Sequence, residues 1–485
     1  MGKKKKEQVK VTCVGNSGDA VVGSSWMVEY PKHNGERGRF LIELGMVQLN
    51  GRLFEEYKTN KAIIDAIPED EIEFIITCHS NCDHVLLIPA LYNKGFKGKV
   101  ISTEGNKNIC HSLMMDGAYI LNRNSQSLEK KGYSVTPLYT EQDVQITTYN
   151  TNTYSKNEIH KINDYISIRF RSNNHIIFAT QLEVFITMPS GRTRKLLYTS
   201  DIGSNKNYDY RYFLDKTDIV TKSNLSIFEC TYSDVNRTYS KQDVIDERRD
   251  LLKTIKNQFK KKGKVIIPSF AQCRSQELLC FLYDNLRDDP IMEAAVVVLD
   301  GKLVHELNNM YLKSFKEEDR KYFQEVLNWD KIHFIKDYNE SILMANKRDV
   351  KMIVIAGAGM ANIGRILNYI KASIGRKNDL FAFIGYTAKH TIGDYIKNEN
   401  IKSIKIEGLQ YDKLAKVKVY KTWSSHIQAD ELINYFKQHN TERIVLHHGD
   451  ESKYNFAEKA KDELYKIGKT TRITCADKDN LNFIV

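Results

Sequence analysis

The stretch Thr-Cys-His-Ser-Asn-Cys-Asp-His at residues 77–84 constrains the fold of this chain more than any other feature. It follows a β-branched and aromatic segment, residues 73–77, that is typical of a buried strand. It precedes an apolar segment, residues 85–91, that can start a helix. The sequence therefore predicts a polar turn at the carboxyl end of a strand, with a helix beginning directly after it.

The side chains on this turn are metal-binding types at close spacing. His79 and Asn81 stand two residues apart on an extended turn, so they can face one point. Asp83 and His84 open the helix and can face a second point nearby. Imidazole, carboxylate and amide groups all ligate metal ions. Taken alone, the stretch fits equally well a polar turn in which Asp83 caps a helix.

Further strands carry groups of the same kind where they end. A strand at residues 165–171 leads into a turn that ends in His175, and a strand at 195–199 leads into Asp201. A third, at 225–228, leads into Glu229. Because sites in sheet proteins collect at one rim of strand ends, we expect these side chains to meet.

The pattern of predicted helices and strands changes twice along the chain. Residues 9–45 read as antiparallel strands joined by Gly and Ser turns. From about residue 240 helices and strands alternate, which predicts a mostly parallel α/β domain. After about residue 400 strand ends again carry histidine, at His426 and His448. These changes divide the sequence into three stretches of different secondary-structure pattern.

Composition narrows the class of protein. The chain has 485 residues, 41% of them hydrophobic and 27% charged, as in a folded globular protein. No apolar run reaches the roughly 20 residues that span a bilayer, and no signal peptide follows the lysines at residues 3–6, which we expect to form a tail. The eight cysteines form no CxxC pair, which favours a reducing, cytoplasmic location. The formal net charge of +11 favours a polyanionic partner.

Several motifs together resemble the β-CASP family of metallo-β-lactamase-fold nucleases. TCHSNCDH resembles the signature H-x-H-x-D-H, NNHIIFA the turn of the third ligand, and LLYTSDIG the segment of the bridging aspartate. IFECTYSD, WSSHIQAD and IVLHHGD resemble motifs A, B and C, and IPSFAQCRSQELL, GAGM and GYTAKHTIG match supporting segments. The motifs run in the family's order from about residue 9 to the last residues. Their set is most similar to short bacterial ribonucleases related to the pre-mRNA 3′-end endonuclease and to RNase J.

The resemblance implies an α/β fold in which a metallo-β-lactamase αββα sandwich is split by an inserted β-CASP α/β domain. We expect the sandwich at residues 1–235 and 401–485 and the inserted domain at residues 236–400. In the family the active site lies in the cleft between the two. The implied activity is hydrolysis of RNA phosphodiester bonds by a hydroxide that bridges two metal ions, leaving 5′-phosphate products. His448 at motif C favours RNA, since DNA-repair members usually carry Val there.

The resemblance also implies the roles of the site residues. The expected metal ligands are His79, Asn81, Asp83, His84, His175, Asp201 and His448. Asp201 would bridge two divalent ions, expected to be zinc, and Asp83 and Asp201 count among the catalytic residues. His426 would donate a proton to the leaving 3′-oxygen, and Glu229 would orient it. Ser425, Arg274 and Lys389 are expected to contact substrate phosphates. His447 and Cys82 are expected not to ligate.

Asn81 departs from the family pattern, which has a second histidine there. A neutral amide oxygen is a weaker and harder ligand than imidazole, so the first metal site is expected to bind zinc loosely or to prefer Mn²⁺ or Mg²⁺. Two alternatives stay open: a single-stranded DNA nuclease or other phosphodiesterase, and a catalytically weak RNA-binding scaffold subunit. Expected partners are RNA and either a second copy of the chain or a processing complex, with no membrane.

Overall fold

The structure is a computed structural model, and it describes residues 7–15, 21, 23–49, 51–234 and 238–485. The lysines at residues 3–6, predicted to form a tail, lie outside the described residues. No helix within these ranges is long and apolar enough to cross a membrane. By internal contacts the chain divides into two compact units. The first comprises Met1–Asn205, Leu214–Thr238 and Ser425–Val485, and the second Lys206–Phe213 and Tyr239–Ser424.

The first unit is built mainly from the amino-terminal half of the chain. Its elements begin with β1 (Lys10–Cys13), β2 (Trp26–Pro31), β3 (Arg37–Ile42), α1 (Leu53–Ala66), β4 (Phe74–Ile76), α2 (Cys82–Val85), α3 (Ile88–Lys94), β5 (Lys99–Ser102), α4 (Glu104–Glu129), α5 (Glu141–Tyr149) and β6 (Thr151–Thr153). They continue with β7 (His160–Lys161), β8 (Ile166–Ser172), β9 (Thr180–Thr187), β10 (Thr193–Tyr198) and β11 (Leu225–Glu229). The antiparallel pairing predicted for residues 9–45 is confirmed, because β2 pairs with both β1 and β3 in that sense.

The second unit alternates helices and strands, as the sequence predicts. Its elements are α6 (Lys241–Phe259), β12 (Lys264–Pro268), α7 (Arg274–Leu286), β13 (Ala295–Asp300), α8 (Lys302–Ser314), α9 (Glu317–Leu327), β14 (Ile332–Phe334), α10 (Tyr338–Asn346), β15 (Lys351–Ala356), α11 (Ile366–Ser373), β16 (Leu380–Phe383), α12 (Ile392–Lys397), β17 (Ser403–Ile406), β18 (Leu409–Asp412) and β19 (Lys416–Val419). Six of these strands form a parallel sheet in the order β14-β13-β15-β12-β16-β19. The strands β17 and β18 form a separate hairpin.

The chain then returns to the first unit and completes its sheets. The last elements are α13 (Ala429–Gln438), β20 (Arg443–His447), α14 (Ser452–Tyr465), β21 (Arg472–Cys475) and β22 (Asn482–Ile484). Short 3-10 turns also occur at Glu69–Glu71, Tyr208–Tyr210 and Pro290–Met292. The two seven-stranded sheets of the unit have the orders β22-β1-β2-β3-β4-β5-β6 and β21-β20-β11-β10-β9-β8-β7.

One apolar core joins the two sheets of the first unit. Val28 and Phe40 of the first sheet pack in the same buried cluster as Ile168 and Val184 of the second. In β8 the buried and half-buried residues alternate strictly, which is the period-2 pattern of a strand with one face on the core. The two sheets therefore pack face to face.

Helices cover the outer faces of this sandwich. On the second sheet, Phe228 and Leu446 point away from the shared core and pack with Leu432 of α13 and Phe456 of α14. On the first sheet's side, α1, α3, α4 and α5 pack against one another, and α4 contacts β6. The result is the four-layer αββα sandwich that the sequence predicts.

Candidate metal centre

The polar turn at residues 77–84 forms as the sequence predicts, and a glycine holds it in place. The helix α2 follows Asn81, whose carbonyl accepts a hydrogen bond from the His84 amide at 2.9 Å. A Cβ atom at Gly45 would lie only 1.6 Å from the Asp83 carbonyl oxygen. Only glycine allows this close approach, which is secured by the Ser24 amide donating to the same oxygen at 2.8 Å.

The second sheet delivers four more side chains to the site. His175 follows β8, Asp201 follows β10, Glu229 ends β11 and His448 follows β20. The strands β10, β11 and β20 are parallel neighbours, so their carboxyl ends meet at one edge. These strand ends therefore lie side by side at one rim of the sheet, as the sequence predicts.

The backbone is strained where these side chains enter the site. Ser200, directly before Asp201, has φ of 53°, and Asn174, directly before His175, has φ of 50°. His448 itself has φ of 53°, and Glu43 has φ of 59°. A positive φ is unfavourable for residues with a Cβ atom and persists only where the surroundings enforce it. Such residues cluster at functional sites, and four of them surround this one.

Asp201 lies at the centre of the group, with its two carboxylate oxygens facing different histidines. Oδ2 is 3.6 Å from His79 Nε2 and 3.5 Å from His175 Nε2. Oδ1 is 3.4 Å from His84 Nε2 and 3.1 Å from His448 Nδ1. A carboxylate that divides its oxygens in this way has the geometry needed to bridge two cations.

The remaining residues of the predicted metal set border these two halves. Asp83 Oδ2 is 3.2 Å from His448 Nε2 and 3.9 Å from His84 Nε2. On the other side, Asn81 Nδ2 is 3.5 Å from His175 Nε2. All seven predicted ligands thus lie together within the first unit, in two groups that share Asp201.

Carboxylates and imidazoles of opposite charge face each other in the site, and a bound cation would change the protonation of the imidazoles. Burial opposes ionisation of Asp201, but His448 and His84 outweigh burial and hold the pKa of this carboxyl well below its usual range. Burial lowers the pKa of His84, but the carboxylates of Glu43 and Asp201 outweigh it and raise that pKa well above its usual range. Because a metal binds neutral imidazole, we expect metal binding to release protons here.

The residues present fit divalent metal ions. The Nε2 atoms of His79 and His84 and the Oδ1 atom of Asp201 are buried and have no hydrogen-bond partner within the described part of the chain. Buried polar atoms are nearly always paired, and these three atoms line the two halves of the site around Asp201, where they are suited to bind cations. Imidazole nitrogens with carboxylate oxygens are a donor set that suits zinc. Three groups here have donor atoms close enough to hold an ion: Glu43 with His79 and His84, His79 with His175 and Asp201, and Asp83 with His84 and His448.

The Glu43 carboxylate contacts the Nδ1 atoms of both histidines of the turn, a role that the sequence analysis does not predict. Its Oε2 atom is 2.5 Å from His84 Nδ1, and its Oε1 atom is 3.4 Å from His79 Nδ1. Ser200 donates to Oε1 at 2.7 Å, and Tyr198 also donates to this fully buried carboxylate. A carboxylate can only accept, so it keeps the proton on Nδ1 of His84 and turns Nε2 towards Asp201. The signal was present, because Glu43 follows the apolar strand β3 as Asp201 follows β10.

We expect Glu43→Gln to weaken zinc binding by about 10- to 100-fold, because an amide no longer fixes the tautomer of His84. The dissociation constant is measured by competition with a chromophoric chelator. Glu183→Gln is the matched control, since Glu183 is equally buried but pairs with Arg169. Unchanged zinc affinity in Glu43→Gln, or an equal loss in the control, would contradict this role.

Glu229 and His426 form a second, separate pair beside the ligands. His426 Nδ1 is 2.9 Å from Glu229 Oε1, which also accepts from the Ile202 amide at 3.2 Å. The other oxygen, Oε2, accepts from the Thr231 amide at 2.8 Å, so the carboxylate is fixed in position. Burial lowers the pKa of His426, but Glu229 outweighs burial and raises it. The His426 ring centroid is 4.7 Å from that of His175, which places the imidazole beside the ligand set.

His447 and Cys82, which are expected not to ligate, lie in surroundings that disfavour metal binding by their side chains. The His447 ring lies in the core, 5.4 Å from Trp26 and 5.6 Å from Tyr198 between ring centroids. It therefore points away from its neighbour's site, as a strand's alternation requires. Burial raises the pKa of the Cys82 thiol to about 12, which disfavours the thiolate that ligates metals.

The predicted substrate contacts divide between the two units. Ser425 is half-buried and stands directly before His426 in the first unit. Arg274 begins α7 in the second unit, where its buried guanidinium donates to Glu277 Oε2 at 2.7 Å. Lys389, also in the second unit, is exposed. Their contact with substrate stays a prediction.

A sandwich of this architecture with histidines and carboxylates at its strand ends defines a metallo-β-lactamase-type fold. The family model of the Beta-Casp domain matches residues 275–396, within the second unit. The second unit therefore contains a Beta-Casp domain, and the chain resembles the β-CASP nucleases of the metallo-β-lactamase fold. The resemblance read from its motifs is confirmed.

The chain is similar to proteins of several kinds across its length. It is 24% identical to Ribonuclease TTHA0252 of Thermus thermophilus, over 86% of this chain and 88% of that protein. It is 25% identical to Transcription termination factor FttA of Methanosarcina mazei, over 92% of this chain and 68% of that protein. With Integrator complex subunit 11 of Gallus gallus the identity is 23%, over 96% and 74%. These relatives support a nuclease role.

A solved structure supports the fold alone. A protein of unknown function from Enterococcus faecalis superposes with a TM-score of 0.50 and 11% sequence identity. The match covers 99% of this chain and 100% of the other. The similarity therefore extends over the whole chain and is a similarity of backbone rather than of sequence.

Proposed function

We propose that the chain is a metal-dependent ribonuclease that hydrolyses RNA phosphodiester bonds and leaves 5′-phosphate products. The observation that carries the proposal is Asp201, whose two oxygens face two separate pairs of histidines. The hydrogen-bonded pair of Glu229 and His426 lies beside them and supplies a proton donor. Both features serve the hydrolysis of a phosphodiester, which needs charge neutralisation on phosphate and a proton for the leaving oxygen.

The residues assigned to the metals follow the two halves of the site. His79, Asn81 and His175 would hold one divalent ion, Asp83, His84 and His448 the other, and Asp201 both. Zinc is the ion we propose, because the donors are mostly imidazoles. Such ions, when bound, lower the pKa of water and neutralise phosphate charge.

The protein's own groups manage the protons of the reaction. Water bonds to phosphorus through its oxygen and releases one proton to solvent, the bond from phosphorus to the 3′-oxygen breaks, and the leaving oxygen takes a proton. His426 would give that proton from Nε2, because its Nδ1 is occupied by Glu229. The Glu229 carboxylate stabilises the charged imidazole before the transfer. The phosphate stays on the 5′-oxygen of the downstream nucleotide.

RNA is the substrate we propose over DNA. The relatives include a protein named as a ribonuclease, and motif C carries His448 rather than Val. The formal net charge of +11 favours binding of any polyanion and does not distinguish the two. The expected setting is the cytoplasm, with the chain acting alone, as a dimer or as a subunit of a processing complex.

A direct assay tests this function. Matched 5′-labelled single-stranded RNA and DNA of one sequence are incubated with the protein, and the product ends are analysed by phosphatase sensitivity. We expect RNA to be cleaved, DNA to be spared, and the new 5′ ends to be labelled only after dephosphorylation. Equal cleavage of DNA would favour the single-stranded DNA nuclease instead.

The second candidate function is a catalytically weak RNA-binding subunit. Asn81 favours it, because this amide stands where the family has an imidazole ligand. Cleavage absent under every metal, with RNA affinity retained, would establish that function and reject the ribonuclease.

Asn81→His should tighten the weaker metal site. We expect the second equivalent of zinc to bind at least about tenfold more tightly in this variant, because imidazole is the better zinc ligand. Isothermal titration of zinc into the chelator-treated protein measures both equivalents. Asn81→Ala is the control, since it removes the amide without adding a ligand. Two equally tight zinc ions in the natural chain would contradict the weak-site hypothesis.

A further inference from the structure

The parallel sheet of the second unit has a position suited to ligand binding that includes none of the predicted metal ligands. From β12 the chain adds β13, β14 and β15 on one side and then crosses to add β16 and β19 on the other. The direction of winding therefore reverses at β12. In open parallel sheets, ligands bind at the carboxyl ends of the strands where this reversal occurs.

An exposed aromatic ring stands at that position. Phe270 lies two residues beyond the end of β12 and is 39% exposed. A Cβ atom at Gly359, after β15, would lie 2.8 Å from the ring's Cδ2 atom, and one at Gly385, after β16, would lie 3.3 Å from its Cε2 atom. The ring is thus seated by one edge between two glycines, where larger residues would displace it, and part of the side chain is exposed to solvent.

The backbone beneath the ring is fixed. The Ser275 hydroxyl donates to the Phe270 carbonyl oxygen at 2.8 Å, and its oxygen lies 3.0 Å from Ser269 Oγ. The Ser269 amide donates to the Ala356 carbonyl at 3.0 Å, which ties the turn to the end of β15. An aromatic residue with a fixed backbone loses little conformational entropy when a ligand covers it.

The rim of this position combines apolar and cationic groups. Tyr386, next to Gly385, is 51% exposed, and Ile363 in the loop after β15 is 61% exposed. Lys389 and His390 are exposed a few residues further along the same loop as Tyr386. An unpaired nucleotide presents the matching chemistry, since its base stacks on aromatic rings and its phosphate attracts cations.

We propose that Phe270 is a stacking platform for an unpaired base of single-stranded RNA at the carboxyl edge of the second unit's sheet. The proposal rests on the proposed function, in that RNA is the polyanion the chain meets. Tyr386 completes the apolar side of the site, and Lys389 attracts the adjoining phosphate. The base is held through its π-face, so the site accepts different bases.

Binding is measured by fluorescence anisotropy with labelled oligouridine of about 12 nucleotides, which suits a single-stranded site. The full chain carries Asp201→Asn in every sample, so that the RNA stays intact. A second RNA of equal length is abasic at every position except the labelled end. Phe270→Leu removes the ring, Phe270→Trp keeps an aromatic surface, and Tyr338→Leu removes another exposed aromatic ring of the same unit.

We expect Phe270→Leu to weaken oligouridine binding by about 5- to 100-fold, as loss of one base stack predicts. The same variant should bind abasic RNA as the parent does, while Phe270→Trp and Tyr338→Leu keep the parent's affinity for oligouridine. A change of less than about twofold in Phe270→Leu overturns the proposal. An equal loss with abasic RNA also overturns it, because the ring would then act without a base, as in folding or protein contact. Failure of the proposed function appears separately, as absence of cleavage by the natural chain.

Discussion

Replacing Asp201 by Asn should lower RNA cleavage by at least about a thousandfold, because the metal ions it is proposed to hold would contribute several kcal/mol to the reaction. Asp201 is the one residue in both halves of the site, and its oxygens stand 3.1–3.6 Å from four imidazole nitrogens. An amide offers one oxygen and no charge, so it cannot bridge two cations. We expect the variant to hold at most one zinc ion.

Cleavage rates and zinc content by elemental analysis are measured on the same samples. Asp164→Asn is the control, since Asp164 pairs with Lys161 at the surface. The control should keep the natural rate and both ions. An Asp201→Asn variant that retains two ions and cleaves normally would remove Asp201 from the centre of the mechanism.

His426→Ala should lower the cleavage rate by about 10²- to 10⁴-fold without changing zinc content, because it removes the proton donor and no ligand. Glu229→Gln should have a smaller effect of about 10- to 100-fold, since it leaves the imidazole but no longer orients or charges it. The two residues act through one hydrogen bond of 2.9 Å. The double variant should therefore be no slower than His426→Ala alone.

Single-turnover cleavage of labelled RNA measures all three rates, and His33→Ala, an exposed histidine, is the control. Additive losses in the double variant would mean that Glu229 acts independently of His426. Loss of zinc from His426→Ala would mean that the imidazole is a ligand and not a proton donor.

The rim of strand ends could be predicted from sequence because each strand is a short apolar run that stops at a polar group. The segment before Asp201 is such a run, and the structure places β10 at Thr193–Tyr198. The sequence from residue 176, directly after His175, is also apolar and by its pattern favours a strand, but β9 begins at Thr180. Residues 176–179 instead form a turn, closed by the Ala179 amide on the Ile176 carbonyl at 2.9 Å, with Phe178 at φ of 68°. Periodicity alone does not distinguish an apolar turn from a strand.

The features that could not be predicted from the sequence depend mainly on contacts between segments that are distant along the chain. The second sandwich segment was expected to begin at residue 401, whereas contacts assign it from Ser425. The difference arises because β19 pairs in parallel with β16 and stays with the second unit's sheet. The sequence from about residue 140 is polar and gives little sign of a helix, yet it contains α5, which begins at a capping box of Thr140 and Asp143. Glu43 shows its role only beside His79 and His84, from which it is separated by 36 and 41 positions.

The most direct test of the central claim is cleavage of 5′-labelled single-stranded RNA by the chelator-treated protein before and after metal is restored. The account predicts no cleavage without metal, and cleavage that appears with added Zn²⁺ or Mn²⁺ in the natural chain but not in Asp201→Asn. Cleavage that persists in the fully chelated protein, or that metal restores equally in Asp201→Asn, would contradict it.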